Sequence, residues 1–168
     1  MRKRILVIDD VPDWRDQLSD ILTGDYEVQT VDNYEAAKAV IRNREAELAI
    51  VDLRLSPTDE NNREGMELLK DLAEFRINAI VLTGYPEHQI KEEAEKKYNA
   101  FDFIDKSALA GNMRLLKNVI KEAFDLLESK RRDQNQSIRE ARSGQSVSFT
   151  KDLATWPLRP LRKTNKNK

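Results

Sequence analysis

A chain of 168 residues, 39% hydrophobic and 35% charged, can build one globular domain of common size with a modest core. It has no cysteine, which excludes disulfides and thiolate metal sites. The formal net charge of -1 hides a division: residues 130–168 carry 11 Lys+Arg against 3 Asp+Glu, leaving 18 against 27 for residues 1–129. An acidic body followed by a basic tail suits a cation site in the body and an acidic or anionic contact behind it.

The first apolar run, Ile5 to Ile8, is too short for a signal peptide and leads into Asp9-Asp10. Pro12 marks a helix start, with Trp14, Leu18, Ile21 and Leu22 at helical spacing before Gly24. Tyr26–Val31 alternates as a half-buried strand does, and Asn33 can cap a helix carrying Ala36, Ala37, Val40 and Ile41. Leu48–Asp52 is a second buried strand, followed by a long polar loop and a helix with Met66, Leu68, Leu69 and Leu72. Ala79–Thr83 is a strand, His88–Tyr98 a charged helix and Phe101–Ile104 a fifth strand. The last helix runs through Leu115, Leu116, Val119, Ile120, Ala123, Phe124 and Leu127, with weak continuation toward Arg142. That stripe either packs on the sheet or forms a homodimer face.

Five strands alternating with five helices predict an α/β fold: a doubly wound, flavodoxin-like parallel sheet in three layers, with an extended C-terminal helix and tail. Central strands rich in Val, Ile and Leu fit burial on both faces. No segment is long enough to span a bilayer, so no membrane contact is expected and the location is read as cytoplasmic.

If the apolar runs are neighbouring parallel strands, their carboxyl ends gather Asp9, Asp10, Asp52, Thr83 and Lys106 at one sheet edge, where such folds hold ligands. Two like charges ~4 Å apart cost on the order of 4 kcal/mol at an effective dielectric near 20. A hard divalent cation such as Mg²⁺ relieves that repulsion. Asp10 has a plainer reading as the cap of the helix beginning at Pro12. Asp52 can act as a nucleophile toward phosphorus, while the Lys106 ammonium can neutralise a transferred phosphoryl group.

Asp9-Asp10, Val51-Asp52-Leu53-Arg54-Leu55, Thr83-Gly84-Tyr85 and Asp102-Phe103-Ile104-Asp105-Lys106 occur in an order and spacing that resembles the receiver domain of two-component (phosphorelay) response regulators. The resemblance covers residues 3–128. It implies that Asp52 is the phosphoacceptor, served by a sensor histidine kinase or a histidine phosphotransfer protein. It implies Mg²⁺ held by Asp10, Asp52 and the Arg54 backbone carbonyl, with Asp9 acting through water. Thr83 and Lys106 would engage the phosphoryl group, and Phe103 would be the switch aromatic. Arg54 and Tyr85 would modulate attack by water, and their bulk predicts slow hydrolysis.

Two departures stand out: Ser107 follows the lysine where the family usually has a cis proline, and the loop from Ser56 to Glu64 is long. The former leaves a trans Lys106–Ser107 bond as the cheaper expectation.

Residues 129–142 read as a weak helical extension and 143–168 as a basic, disordered tail, too short and polar for a DNA-binding domain. A stand-alone receiver acting on an unknown downstream protein is therefore expected, with the tail a docking peptide anchored by Trp156 and Leu158 or Leu161, a basic arm for nucleic acid, or a solvated end. Turnover catalysis is not expected. The competing readings are a Mg²⁺-dependent aspartyl phosphatase, which would want a carboxylate where Arg54 stands, and a receiver that signals without phosphorylation. His88 reads as a surface residue.

Overall fold

The computed structural model describes residues 2–56, 62–84 and 86–142. The elements run β1 (Arg4–Ile8), α1 (Pro12–Leu22), β2 (Glu27–Val31), α2 (Tyr34–Arg42), β3 (Leu48–Val51), α3 (Glu64–Glu74), β4 (Asn78–Thr83), α4 (His88–Lys97), β5 (Asp102–Asp105), a 3₁₀ turn (Lys106–Leu109) and α5 (Met113–Arg142). All strand pairs are parallel, in the order β2-β1-β3-β4-β5. The three-layer doubly wound sheet expected from the alternation is the fold observed.

Alternation along each strand sends side chains to opposite faces. On one face Leu6, Ile8, Ala49, Val51, Ala79 and Val81 pack under α2, α3 and α4. On the other, Ile5, Val7, Leu48, Ile50, Ile80 and Leu82 pack under α1 and α5. β1, β3 and β4 are buried on both faces, which is why they read as continuous apolar runs. β2 lies at the sheet edge and buries only Val28 and Val31 in part.

Three αβ connections turn on non-glycine residues in the left-handed region, Arg44, Arg76 and Asn99. After α2 and α3 the helix is closed by the same pair of backbone bonds, Arg44 N–H to Ile41 and Glu45 N–H to Val40, then Arg76 N–H to Ala73 and Ile77 N–H to Leu72.

The apolar stripe of α5 packs on the sheet: Leu116, Val119, Ile120, Ala123, Phe124 and Leu127 are all buried. The helix continues to Arg142, with residues 131–139 exposed. Its lower part is tied to the body by Lys3–Glu128 at 2.7 Å and Arg131–Glu47 at 3.1 Å. Among the described residues no helix is long and apolar enough to cross a membrane. The tip of the loop after Asp52 (residues 57–61), Tyr85 and the tail 143–168 lie outside the described residues.

Candidate functional site

β1, β3, β4 and β5 are consecutive in the sheet, so their carboxyl ends form one continuous edge. Asp9 and Asp52 sit one residue past β1 and β3, yet their backbones stay in the sheet. The Asp52 N–H donates to the Ile8 carbonyl at 2.8 Å, and the Asp9 N–H donates to the Val31 carbonyl at 3.2 Å. Both side chains are buried, as are Thr83 at the end of β4 and Lys106 just after β5. Asp10 is half-buried. The five residues singled out in the sequence converge.

Lys106 joins them. Its Nζ lies 2.5 Å from Asp52 Oδ2 and 2.7 Å from Asp9 Oδ2. Asp9 Oδ1 accepts the Val11 N–H at 3.0 Å, and Asp52 Oδ1 accepts the Arg54 N–H at 3.3 Å. Burial pushes the Asp9 carboxyl above its ordinary value, with the charge of Asp52 adding to it and Lys106 opposing it. Burial would lower Lys106, but its hydrogen bonds to Asp52 and Asp9 outweigh that and hold the ammonium above its ordinary value.

Carboxylate oxygens of Asp9, Asp10 and Asp52 lie within 4.8 Å of one another. Three carboxylates against one ammonium leave local negative charge, and the donors are all hard oxygens, so the set fits Mg²⁺ rather than a soft metal. Asp9 and Asp52 each spend one oxygen on Lys106 and the other on a backbone N–H, of Val11 and of Arg54, so a cation touching either must share an oxygen that already accepts a hydrogen bond.

Asp10 does not cap α1. The N-cap is Val11, with no side-chain cap, and it is Asp9 that accepts the Val11 N–H. Pro12 at the first helical turn lets the helix start without such a cap. The Lys106–Ser107 bond is trans. In place of proline, Asp105 accepts the Ser107 N–H at 2.8 Å and caps the 3₁₀ turn. Phe103 is buried in the layer under α4, with Lys91 Nζ 5.9 Å from its ring centroid. His88 is exposed at the start of α4. Beside the site, a cleft of about 320 Å³ is bordered by Arg54, Arg63, Met66, Thr83 and Glu93.

Three contributors were not singled out in the sequence. Gly65, at the start of α3, has no room for a side chain: a Cβ there would lie 2.5 Å from the Asp52 carbonyl oxygen and closer still to Leu53 Cα. Arg15 donates through Nη1 to the Asp9 carbonyl at 2.6 Å. Trp14 lies with its ring centroid 5.1 Å from Lys106 Nζ. The signal for Gly65 was available, a glycine opening a helix; Trp14 and Arg15 had no signal apart from helical spacing.

The family model for the response regulator receiver domain matches residues 5–121. Among solved structures, a CheY-like response regulator receiver domain protein from Methanospirillum hungatei is similar at 29% identity, covering 77% of this chain and 99% of that one, with a TM-score of 0.67. NtrX from Brucella abortus, solved in complex with ADP, is 26% identical over 87% of this chain and 31% of its own, with a TM-score of 0.63. TrrA from Thermotoga maritima, solved in complex with Mg²⁺-BeF, is 28% identical over 71% of this chain and 97% of its own, with a TM-score of 0.58. A search of curated proteins found no match.

Proposed function

We propose, from the premise that this chain belongs to the response regulator receiver domain family, that it accepts a phosphoryl group on Asp52 from a histidine kinase or a histidine phosphotransfer protein, with Mg²⁺ bound, and signals by protein–protein contact. The observation that carries this reading is the buried bridge of Lys106 between Asp9 and Asp52, with Asp10 and Thr83 at the same sheet edge. The receiver unit is taken as residues 3–128, and the cytoplasm, where such phosphodonors act, as its location.

In this reading an Asp52 oxygen forms a bond to phosphorus as the phosphorus–nitrogen bond of a phosphohistidine breaks, the electron pair leaving with the imidazole. Asp10, Asp52 and the Arg54 carbonyl would hold Mg²⁺ directly, and Asp9 through water. The bound ion would supply charge neutralisation to the carboxylates and the phosphoryl oxygens. Lys106 then carries its hydrogen bond from the Asp52 carboxylate to a phosphoryl oxygen. The Thr83 hydroxyl turns to another, and Phe103 reports the change to the α4–β5 surface. Arg54 and Tyr85, two residues beyond Asp52 and Thr83, hinder attack by water and keep the adduct long-lived.

The test is to incubate the full chain with Mg²⁺ and a small phosphodonor and to measure its intact mass. The expected result is a single, slowly lost phosphoryl adduct that Asp52→Asn abolishes. Steady phosphate release with turnover would favour an aspartyl phosphatase, although Arg54 stands where that chemistry wants a carboxylate. Absence of any adduct would leave a receiver that signals without phosphorylation, and loss of label within seconds would contradict the hindrance assigned to Arg54 and Tyr85.

A further inference from the structure

Two carboxylates are not the whole environment of Lys106. Its Nζ, 2.5 and 2.7 Å from Asp52 and Asp9, also lies 5.1 Å from the centroid of the Trp14 ring. That is inside the ~6 Å reach of a cation–π contact, for which tryptophan offers the strongest aromatic face. Such contacts gain most where water is scarce, and Lys106 is 8% exposed.

Both sides of this contact are built from rigid parts. Trp14 sits in the first turn of α1, half-buried against the apolar layer beneath α1 and α5. Pro12 opens that helix, and two bonds tie its start to Asp9: the Val11 N–H to the Asp9 carboxylate and the Arg15 guanidinium to the Asp9 carbonyl. On the other side, Asp105 caps the turn in which Lys106 stands. The residue that pairs with the ammonium therefore also anchors the helix that carries the ring.

We propose that Trp14 is a positioning residue for phosphoryl transfer, its indole face holding the Lys106 ammonium at the sheet edge while that ammonium exchanges the Asp52 carboxylate for a phosphoryl oxygen. The inference rests on the phosphoacceptor reading of Asp52. Its physical logic is that phosphorylating Asp52 turns its carboxylate into an acyl phosphate, so one of the two anions that hold the lysine moves outward onto the phosphoryl oxygens. A third carboxylate at the Trp14 position would compete with the phosphoryl group for the ammonium. An aromatic face attracts the cation without offering a full charge, so it keeps the ammonium in place yet lets its hydrogen bonds move.

The full chain with Trp14→Phe and Trp14→Leu tests this through two readouts. The first needs no phosphodonor: the Lys106 ε-methylene protons, followed by NMR, are shielded by the ring current. That shielding persists in Trp14→Phe and vanishes in Trp14→Leu. The second is the rate of adduct formation with Mg²⁺ and acetyl phosphate, expected to fall about tenfold in Trp14→Leu and to stay within about threefold in Trp14→Phe. Wild-type kinetics in Trp14→Leu would overturn the proposal. So would an equal slowing in both variants that tracks an equal loss of thermal stability, since that would make the ring a packing element. A wild-type chain that forms no adduct would sink the phosphoacceptor reading instead, with the NMR shielding still reporting separately on the lysine–indole contact.

Discussion

Two lysines at opposite edges of the sheet use the same parts. Lys106, at the carboxyl edge, meets Asp9, Asp52 and the Trp14 ring. Lys3, at the amino edge, meets Glu128 at 2.7 Å and lies 4.8 Å from the centroid of the Phe124 ring. The Lys106 side chain is 9% exposed and its partners 2% and 8%, whereas Lys3 and Glu128 are 36% and 41% exposed. In the first cluster water cannot replace a lost partner; in the second it can. One edge of the fold is thus electrostatically committed and the other only fastened, as a ligand site and a structural tether should differ.

The sharpest break of that comparison is Lys106→Met. Removing one partner from a buried ionic cluster typically costs about 3–5 kcal/mol, because the remaining charges stay buried without compensation. Urea denaturation without Mg²⁺ should show a loss of that order. The Lys106 pKa is raised above 10.5 in the folded chain, so its contribution is fully present below pH 10.5 and fades as pH rises through the folded value. Asp9 acts in the opposite sense. Its folded pKa is raised above 3.8, so its charged form costs stability at neutral pH, and that cost is relieved as pH falls through the folded value toward 3.8. A Lys106→Met chain as stable as wild type at pH 7 would contradict the contrast between the edges.

Mg²⁺ should follow with a slightly smaller effect. A ligand at a hundredfold excess over its Kd stabilises the folded chain by about 2.7 kcal/mol. Asp10→Asn should lose most of the Mg²⁺-dependent rise in melting temperature while gaining stability in metal-free buffer, where it removes one of three crowded carboxylates. An unchanged response to Mg²⁺ would remove Asp10 from the proposed ligand set. Gly65→Ala should come next. A Cβ 2.5 Å from the Asp52 carbonyl oxygen forces backbone to move, at about 1–3 kcal/mol, and should slow adduct formation because the displaced backbone is that of the proposed acceptor.

What the sequence makes legible follows the same physics. Strands buried on both faces read as unbroken apolar runs, and an acid or hydroxyl ending such a run is conspicuous, so Asp9, Asp10, Asp52, Thr83 and Lys106 could be placed before any coordinates. Helix ends were less legible, since Arg44, Arg76 and Asn99 take left-handed positions where glycine would have announced the stop. The continuation of α5 to Arg142 reads only as a weak one in the sequence because a polar helix with residues 131–139 exposed has no apolar period to count. Its continuation draws on contacts far apart in the chain, Lys3 with Glu128 and Glu47 with Arg131. Trp14 looked like one more core position at helical spacing, because nothing local reveals that its ring reaches a lysine ninety-two residues away.

The smallest effect belongs to the tether. A double-mutant cycle of Lys3→Met with Glu128→Gln should return a coupling within experimental error, because both side chains are more than a third exposed and water takes up whichever partner is left. The contact still leaves a mark on titration. The hydrogen bond from Lys3 and its nearby charge hold the Glu128 carboxyl below 4.5, so the attraction is complete above that value and is lost as pH falls through the lower folded value. Carbon NMR of the Glu128 carboxyl should therefore give a midpoint below 4.5 in the wild-type chain and one closer to 4.5 in Lys3→Met. Identical midpoints would mean that Lys3 does not hold α5 in solution. The lower helix would then be fastened chiefly by the apolar contact of Phe124, whose ring stacks on Tyr26 at 5.5 Å, and the two edges would differ in kind as well as in degree.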